Sequence, residues 1–206
     1  NFPGYPDGIT GPEMMMELQK QAERFETDVR DGWITKVDFS GDIHKVWVND
    51  TKEIHCDTVI ISTGASAKYL GLESEQKYLK LGGGVSACAV CDGFFYRDKH
   101  VIVVGGGNTA VEEALYLSGL ASKVTVIHRR DEFRAERILQ ERLFKKPNVE
   151  ILWDSELVEI KGKDGLMPSA ESAVVKNRKS GETTDMPIDG IFIAIGHAPA
   201  VELFKE

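Results

Sequence analysis

Cysteine is scarce in this 206-residue chain, which has three, and its five histidines include no closely spaced pair. A secreted disulfide framework uses more cysteine than this, and a structural zinc site needs four ligands, of which one C-x-x-C pair supplies two. Positive charge is also short. The 25 Lys and Arg against 33 Asp and Glu leave a net charge of −8, which argues against nonspecific binding to nucleic acid or anionic lipid. No apolar run approaches the length that crosses a bilayer, and the opening residues do not read as a signal peptide. With 42% apolar and 28% charged residues, the chain has the composition of a globular protein that can bury a core. It opens without Met in the turn-rich run Asn1 to Gly8, so the expectation is a segment that starts partway through a longer protein.

Two of the three cysteines, Cys88 and Cys91, are separated by Ala89 and Val90 and followed directly by Asp92. This spacing closes a small disulfide ring, and a carboxylate beside it can pass a proton to a departing thiolate. Zinc also takes thiolates at this spacing, but further ligands are lacking, so no metal is expected and redox chemistry is favoured. Cys56, in the apolar context Ile54 to Ile61, reads as a small packed residue.

Along the chain, Pro12 at a first helical turn and Met15, Leu18, Ala22 and Phe25 at helical spacing predict a helix up to about Phe25, its methionines packed. Trp33 to Phe39, Ile43 to Val48 and Lys52 to Ile54 alternate as strands between polar turns. Thr58 to Ser62 reads as a continuous apolar strand ending in the small-residue turn Thr63-Gly64-Ala65. Val101 to Val104, then Gly105-Gly106-Gly107-Asn108-Thr109-Ala110, a helix Val111 to Leu120 and a strand Lys123 to Ile127 make up a βαβ unit. A unit of this kind binds a dinucleotide pyrophosphate at the helix N-terminus. Its second strand ends in His128-Arg129-Arg130-Asp131-Glu132-Phe133-Arg134, where guanidinium groups suit a 2′-phosphate. A solvated basic helix start is the alternative. Further on, a helix Arg134 to Phe144 and strands Val149 to Trp153, Leu157 to Ile160, Ala173 to Lys176 and Ile191 to Ile195 are expected.

The redox motif with its Asp-Gly-Phe-Phe tail, GGGNTAVEEALYLSG, HRRDEFRAE, STGAS and AIGHAP together resemble the low-molecular-weight thioredoxin reductases, over essentially the whole chain. The resemblance implies an α/β fold of the two-dinucleotide-binding-domain flavoprotein type: a Rossmann-like NADPH domain, about residues 68–193, inserted in an FAD domain. Residues 1–67 and 194–206 would be pieces of that FAD domain, with connections near Ser66-Ala67-Lys68 and Ala194-Ile195-Gly196 as a hinge. It further implies Cys88 and Cys91 as the redox pair with Asp92 as acid, and Gly105, Gly107, Asn108, Thr109 and Glu112 along NADPH. Arg129, Arg130 and Arg134 would surround the 2′-phosphate, with His128 and His197 nearby, while Asn1, Thr63, Gly64 and Ala65 would touch FAD.

Phe94 and Phe95 resemble the family's apolar contact for thioredoxin. A cytoplasmic homodimer is implied, with no membrane or nucleic-acid partner. The sequence departs from the family in having Ala-Val between the cysteines and in lacking an N-terminal flavin G-x-G-x-x-G and a C-terminal Gly-Asp motif. The flavin site is therefore expected to be incomplete, with apolar surface uncovered beside it. The alternatives are the flavoprotein subunit of an alkyl hydroperoxide reductase, which usually prefers NADH, and a nonenzymatic NADPH-binding redox module.

Overall fold

The computed structural model describes residues 3–205, so Asn1 lies outside the described residues. The chain divides into two compact units, one running up to Ser62 and resumed from Val201, the other Thr63–Ala200. In the first, helix α1 (Gly11–Arg24) begins with a capping box in which Thr10 accepts from the Glu13 amide and Glu13 reaches back to Thr10. None of its residues is buried, so the expected packing of the methionines is not seen, and Met15 and Met16 are exposed. Strands β1 (Ile34–Asp38), β2 (His44–Val48) and β3 (Lys52–Cys56) form an antiparallel meander. Thr58–Ser62, expected as a strand, pairs with nothing among the described residues and stays extended with Ile60 92% exposed. An apolar run acquires strand geometry only where a neighbour accepts its backbone hydrogen bonds.

The second unit opens with β4 (Ala65–Ala67), α2 (Glu73–Leu79), β5 (Val85–Ser86) and the one-turn helix α3 (Ala89–Asp92). Next come β6 (His100–Val104), α4 (Asn108–Leu117), β7 (Lys123–Ile127), α5 (Arg137–Leu143) and β8 (Val149–Leu152). The last elements are β9 (Ser155–Lys163), β10 (Ser169–Asn177), β11 (Thr183–Pro187), β12 (Gly190–Ile193) and β13 (His197–Pro199). Five strands make a parallel sheet in the order β5-β12-β6-β7-β8, with the antiparallel sheet β11-β10-β9 separate from it. At the segments expected as connections, β4 pairs with β13 as an antiparallel ribbon, continued by Lys68 N–H to the Gly196 carbonyl at 2.9 Å.

The central strands are apolar on both faces, as a sheet covered on both sides requires. Val101, Val103, Val124, Val126 and Phe192 pack against Ala110, Val111, Ala114 and Leu117 of α4 and Leu143 of α5. Ile102, Val104, Ile191 and Ile193 point the other way, onto Leu157, Ile160, Ala173 and Val175 of the antiparallel sheet. The parallel sheet is thus sandwiched between helices and a second sheet, and this holds the carboxyl ends of β6, β7 and β12 rigid and close together.

Two histidines are locked in this frame. His100 Nδ1 donates to the Pro187 carbonyl (3.0 Å), which leaves Nε2 to accept from the buried Thr125 hydroxyl at 2.9 Å. His128, 5% exposed, donates from Nε2 to the Glu132 carbonyl (3.0 Å) and packs against Phe133 and Trp153. Burial is the main cause lowering both pKa values; Lys123 adds to it at His100, and the three arginines of the following loop add to it at His128. Because the folded values lie below the unfolded value of about 6.5, the unfolded chain takes up protons first. Their contribution is fully present above about pH 6.5 and is lost as pH falls below it. The thermal midpoint should therefore drop between pH 7 and pH 5, and His100→Gln should flatten that slope; an equally steep slope in the variant would assign the loss elsewhere.

Candidate nucleotide and redox site

The turn between β6 and α4 is shaped by three glycines with different duties. Gly105 has φ +154, and a Cβ there would run into the Ala194 carbonyl and Ala110; at Gly106 a Cβ would overlap the His128 ring. At Gly107 a Cβ would meet nothing within 4 Å. The first two glycines thus let the turn pack inward, while the third presents bare backbone outward. Gly107 is also the N-cap of α4 and supplies no capping side chain, so the first amides of a ten-residue helix face that open side. A pyrophosphate is the ligand such an end accommodates.

Asn108 is engaged elsewhere: its Oδ1 accepts from the Glu136 amide (2.8 Å) and its Nδ2 donates to Glu136 Oε1 (3.4 Å). The amide of Arg134 is likewise taken by the Gly106 carbonyl at 2.8 Å. Arg134 and Glu136 are tied to the glycine turn by these bonds, and α5 starts at Arg137 after Glu136, whose ψ of 139 is not helical, and not at Arg134 as expected. The same bonds draw the loop from His128 to Glu136 over the glycine turn. Thr109 is half-buried and Glu112 exposed.

That loop carries Arg129, Arg130 and Arg134, all exposed, and among the described residues none of the three forms an ion pair. Three guanidinium groups near an open helix N-terminus form an anion site in an otherwise acidic chain. His128 is turned inward, so its ring braces the loop from beneath. The donor set fits a dinucleotide carrying an additional phosphate.

Cys88 and Cys91 are joined as a disulfide, with Cα atoms 5.3 Å apart. Cys88 is the N-cap of α3 and its Sγ accepts from the Cys91 amide at 3.2 Å. Cys91 is exposed and Cys88 half-buried. Asp92 Oδ2 accepts from the buried Ser86 hydroxyl at 2.6 Å, and Ser86 Oγ in turn accepts from the Cys88 amide at 3.0 Å. Ser86 therefore ties the acid to the backbone of the first cysteine, a role that the sequence did not flag because its only signal is a serine two residues before the motif.

The disulfide helix rests on α4. Glu113 Oε1 accepts from the Ala89 amide at 3.4 Å, while its Oε2 is buried without a partner among the described residues, and burial raises its pKa. Gly93 packs against Tyr116 and Leu117, where a Cβ would lie 3.1 Å from each. One helix thus presents uncapped amides at its start and supports the disulfide along its flank.

The remaining expected residues gather on the ribbon. Thr63 Oγ1 donates to the Ala200 carbonyl (2.6 Å), the Ala200 amide donates to the Gly64 carbonyl (2.9 Å), and Ala65 is exposed on β4. His197 is exposed on β13, opposite Ala67. Thr63 to Ala65 amount to a single turn, and β6–α4 is the one strand–glycine–helix unit among the described residues.

Ser86→Ala should remove the partner of Asp92 and leave the Cys88 amide unsatisfied. A loss of about 1–3 kcal/mol in denaturant unfolding of the oxidised chain is expected, with Asp92→Asn milder because the hydroxyl can still donate to the amide oxygen. Equal stabilities for Ser86→Ala and the parent would show that this network carries no weight.

Comparison with known proteins agrees with this geometry. The chain is 45% identical over 206 residues to the thioredoxin reductase of Rickettsia prowazekii, covering all of this chain and 65% of that protein. It is 49% identical over 209 residues to that of Coxiella burnetii, covering all of this chain and 63% of that protein. Among solved structures, Lactococcus lactis thioredoxin reductase matches with TM-score 0.76 at 41% identity, over 98% of this chain and 65% of that one. Thioredoxin reductase from Giardia duodenalis matches with TM-score 0.79 at 36% identity, over all of this chain and 65% of that one. The chain spans a little under two thirds of the length of these relatives. Residues 10–206 match the family described as pyridine nucleotide-disulphide oxidoreductase, and with its parallel sheet, glycine turn and disulfide the chain belongs to that family.

Proposed function

We propose that this chain carries the nucleotide-binding and disulfide-exchanging parts of a thioredoxin-disulfide reductase that draws electrons from NADPH. The observation that carries the reading is the packing of the Cys88–Cys91 helix on α4, whose N-terminus faces the unpaired arginine loop. Relatives that bear the name thioredoxin reductase support it. In this reading residues 68–193 are the NADPH domain, and 1–67 with 194–206 belong to an FAD domain, to which Thr63, Gly64 and Ala65 contribute. A flavin, when bound, supplies two-electron relay between nucleotide and disulfide. The described residues offer it only one turn, so the chemistry of this chain lies in its cysteines.

Two electrons and one proton convert the Cys88–Cys91 disulfide into a thiolate and a thiol. The thiolate attacks a sulfur of the partner's disulfide, a mixed disulfide forms and the partner's other sulfur leaves as thiolate. The second cysteine then gives its proton to the departing sulfur and attacks the mixed disulfide, restoring Cys88–Cys91 and releasing the partner as one thiol and one thiolate, the latter taking its proton from water. In this reading Asp92, whose carboxylate accepts from Ser86, would deliver the proton that a departing thiolate needs. Val90, Phe94 and Phe95 stand exposed around the pair and would meet thioredoxin through apolar contact. Among the described residues no helix is long and apolar enough to cross a membrane. A cytoplasmic homodimer is part of the proposal.

In the complete, flavin-loaded protein, replacing Cys88 or Cys91 with Ser should abolish NADPH-dependent reduction of thioredoxin while leaving NADPH binding intact. Thioredoxin reduction that survives either replacement would defeat the assignment. Reduction of a peroxidase partner with NADH as the better donor would favour an alkyl hydroperoxide reductase subunit, and nucleotide binding without any disulfide reduction would leave a redox module.

Charge-assisted bonds contribute about 1.5–3 kcal/mol each, so two of the three arginines suffice for at least about a tenfold preference for NADPH over NADH. Arg134→Ala should weaken NADPH far more than NADH in a direct titration; equal dissociation constants in the parent would refute the 2′-phosphate reading.

A further inference from the structure

The loop that gathers the arginines also carries Asp131 and Glu132 between Arg130 and Arg134. A carboxylate left uncompensated beside a bound phosphate weakens it through like-charge repulsion. The turn between β10 and β11 reaches this loop from another part of the chain. Lys179 Nζ lies 2.8 Å from Asp154 Oδ2 and 3.7 Å from Asp131 Oδ2. Asp154 is the more enclosed partner, with its side chain 19% exposed, and it is the main cause raising the Lys179 pKa.

The same turn grips the loop's backbone. Arg178 Nη1 donates to the Arg129 carbonyl (3.2 Å), and its Nε lies 3.4 Å from Glu156. Asp154, at φ +50, donates its amide to the Arg130 carbonyl (3.1 Å) and accepts the Arg178 amide at 2.6 Å. Both carbonyls are thereby fixed, and the guanidinium groups of Arg129 and Arg130 remain free of internal partners.

We propose that Asp154, Arg178 and Lys179 form a specificity-setting support for the arginine loop, fixing the backbone of Arg129 and Arg130 and neutralising Asp131, so that a 2′-phosphorylated nucleotide is selected over its dephospho counterpart. This rests on the nucleotide reading of the glycine turn. All three act through the loop and are positioning residues.

The test is a set of NADPH and NADH dissociation constants for the parent chain, Lys179→Met, Arg178→Met, Asp131→Asn and the double variant Lys179→Met with Asp131→Asn. An exposed ion pair is worth up to about 1 kcal/mol, so Lys179→Met should weaken NADPH about threefold to fivefold with NADH almost unchanged. Asp131→Asn in the same chain should restore NADPH binding, which a lysine acting only on fold stability would not allow. Arg178→Met should also weaken NADPH selectively, through the backbone of Arg129.

A parent that prefers NADPH, with variants that keep its ratio of constants, overturns the proposal and leaves the cofactor reading standing. So does a double variant that stays as weak as Lys179→Met. A parent with equal affinity for both nucleotides overturns the cofactor reading and this inference with it.

Discussion

Helix α4 is the element on which both halves of the chemistry depend. Its start is left uncapped by Gly107, and its flank carries the disulfide helix through Glu113, Tyr116 and Leu117. That arrangement requires the preceding turn to pass close under Ala194 and the His128 ring, which only residues without a Cβ allow at Gly105 and Gly106. The buried faces of β6, β7 and β12 then hold the turn in place. Neither the uncapped amides of α4 nor the disulfide sulfurs sit on a free loop.

Charge is organised locally against the sign of the whole chain. A protein of net charge −8 gathers on one loop three guanidinium groups that form no ion pair among the described residues, while Asp131 beside them lies 3.7 Å from Lys179. The long-range field of the chain is unfavourable to an anion, so in the proposed site binding would depend on short charge-assisted contacts and a fixed backbone. The inward His128, kept neutral by burial, braces the loop without adding charge to it.

Much of this was legible in the sequence where patterns are local. Val101 to Val104 and Lys123 to Ile127 read as strands, and the glycine turn with the helix between them marked the βαβ unit. The Cys88–Cys91 disulfide was legible from the C-x-x-C spacing together with the following Asp92 and the lack of further zinc ligands. What failed depended on partners far away in sequence. Thr58–Ser62 has strand composition without a neighbour to pair with among the described residues, and α5 begins late, with residues 134–136 held out of the helix in the loop tied to Asn108 and Gly106. Ser86, Arg178 and Lys179 belong to no motif, Glu113 sits inside one without a role of its own being marked, and the contacts of all four are tertiary ones.

The most direct test of the central claim, that the start of α4 and the arginine loop form one nucleotide site, is an amide-resolved NMR titration of the chain with NADP+. The account predicts saturable shifts concentrated at Gly105 to Thr109 and Arg129 to Arg134, with smaller changes passing along α4 to Ala89. Saturable shifts centred elsewhere, with these two segments unmoved, would contradict it.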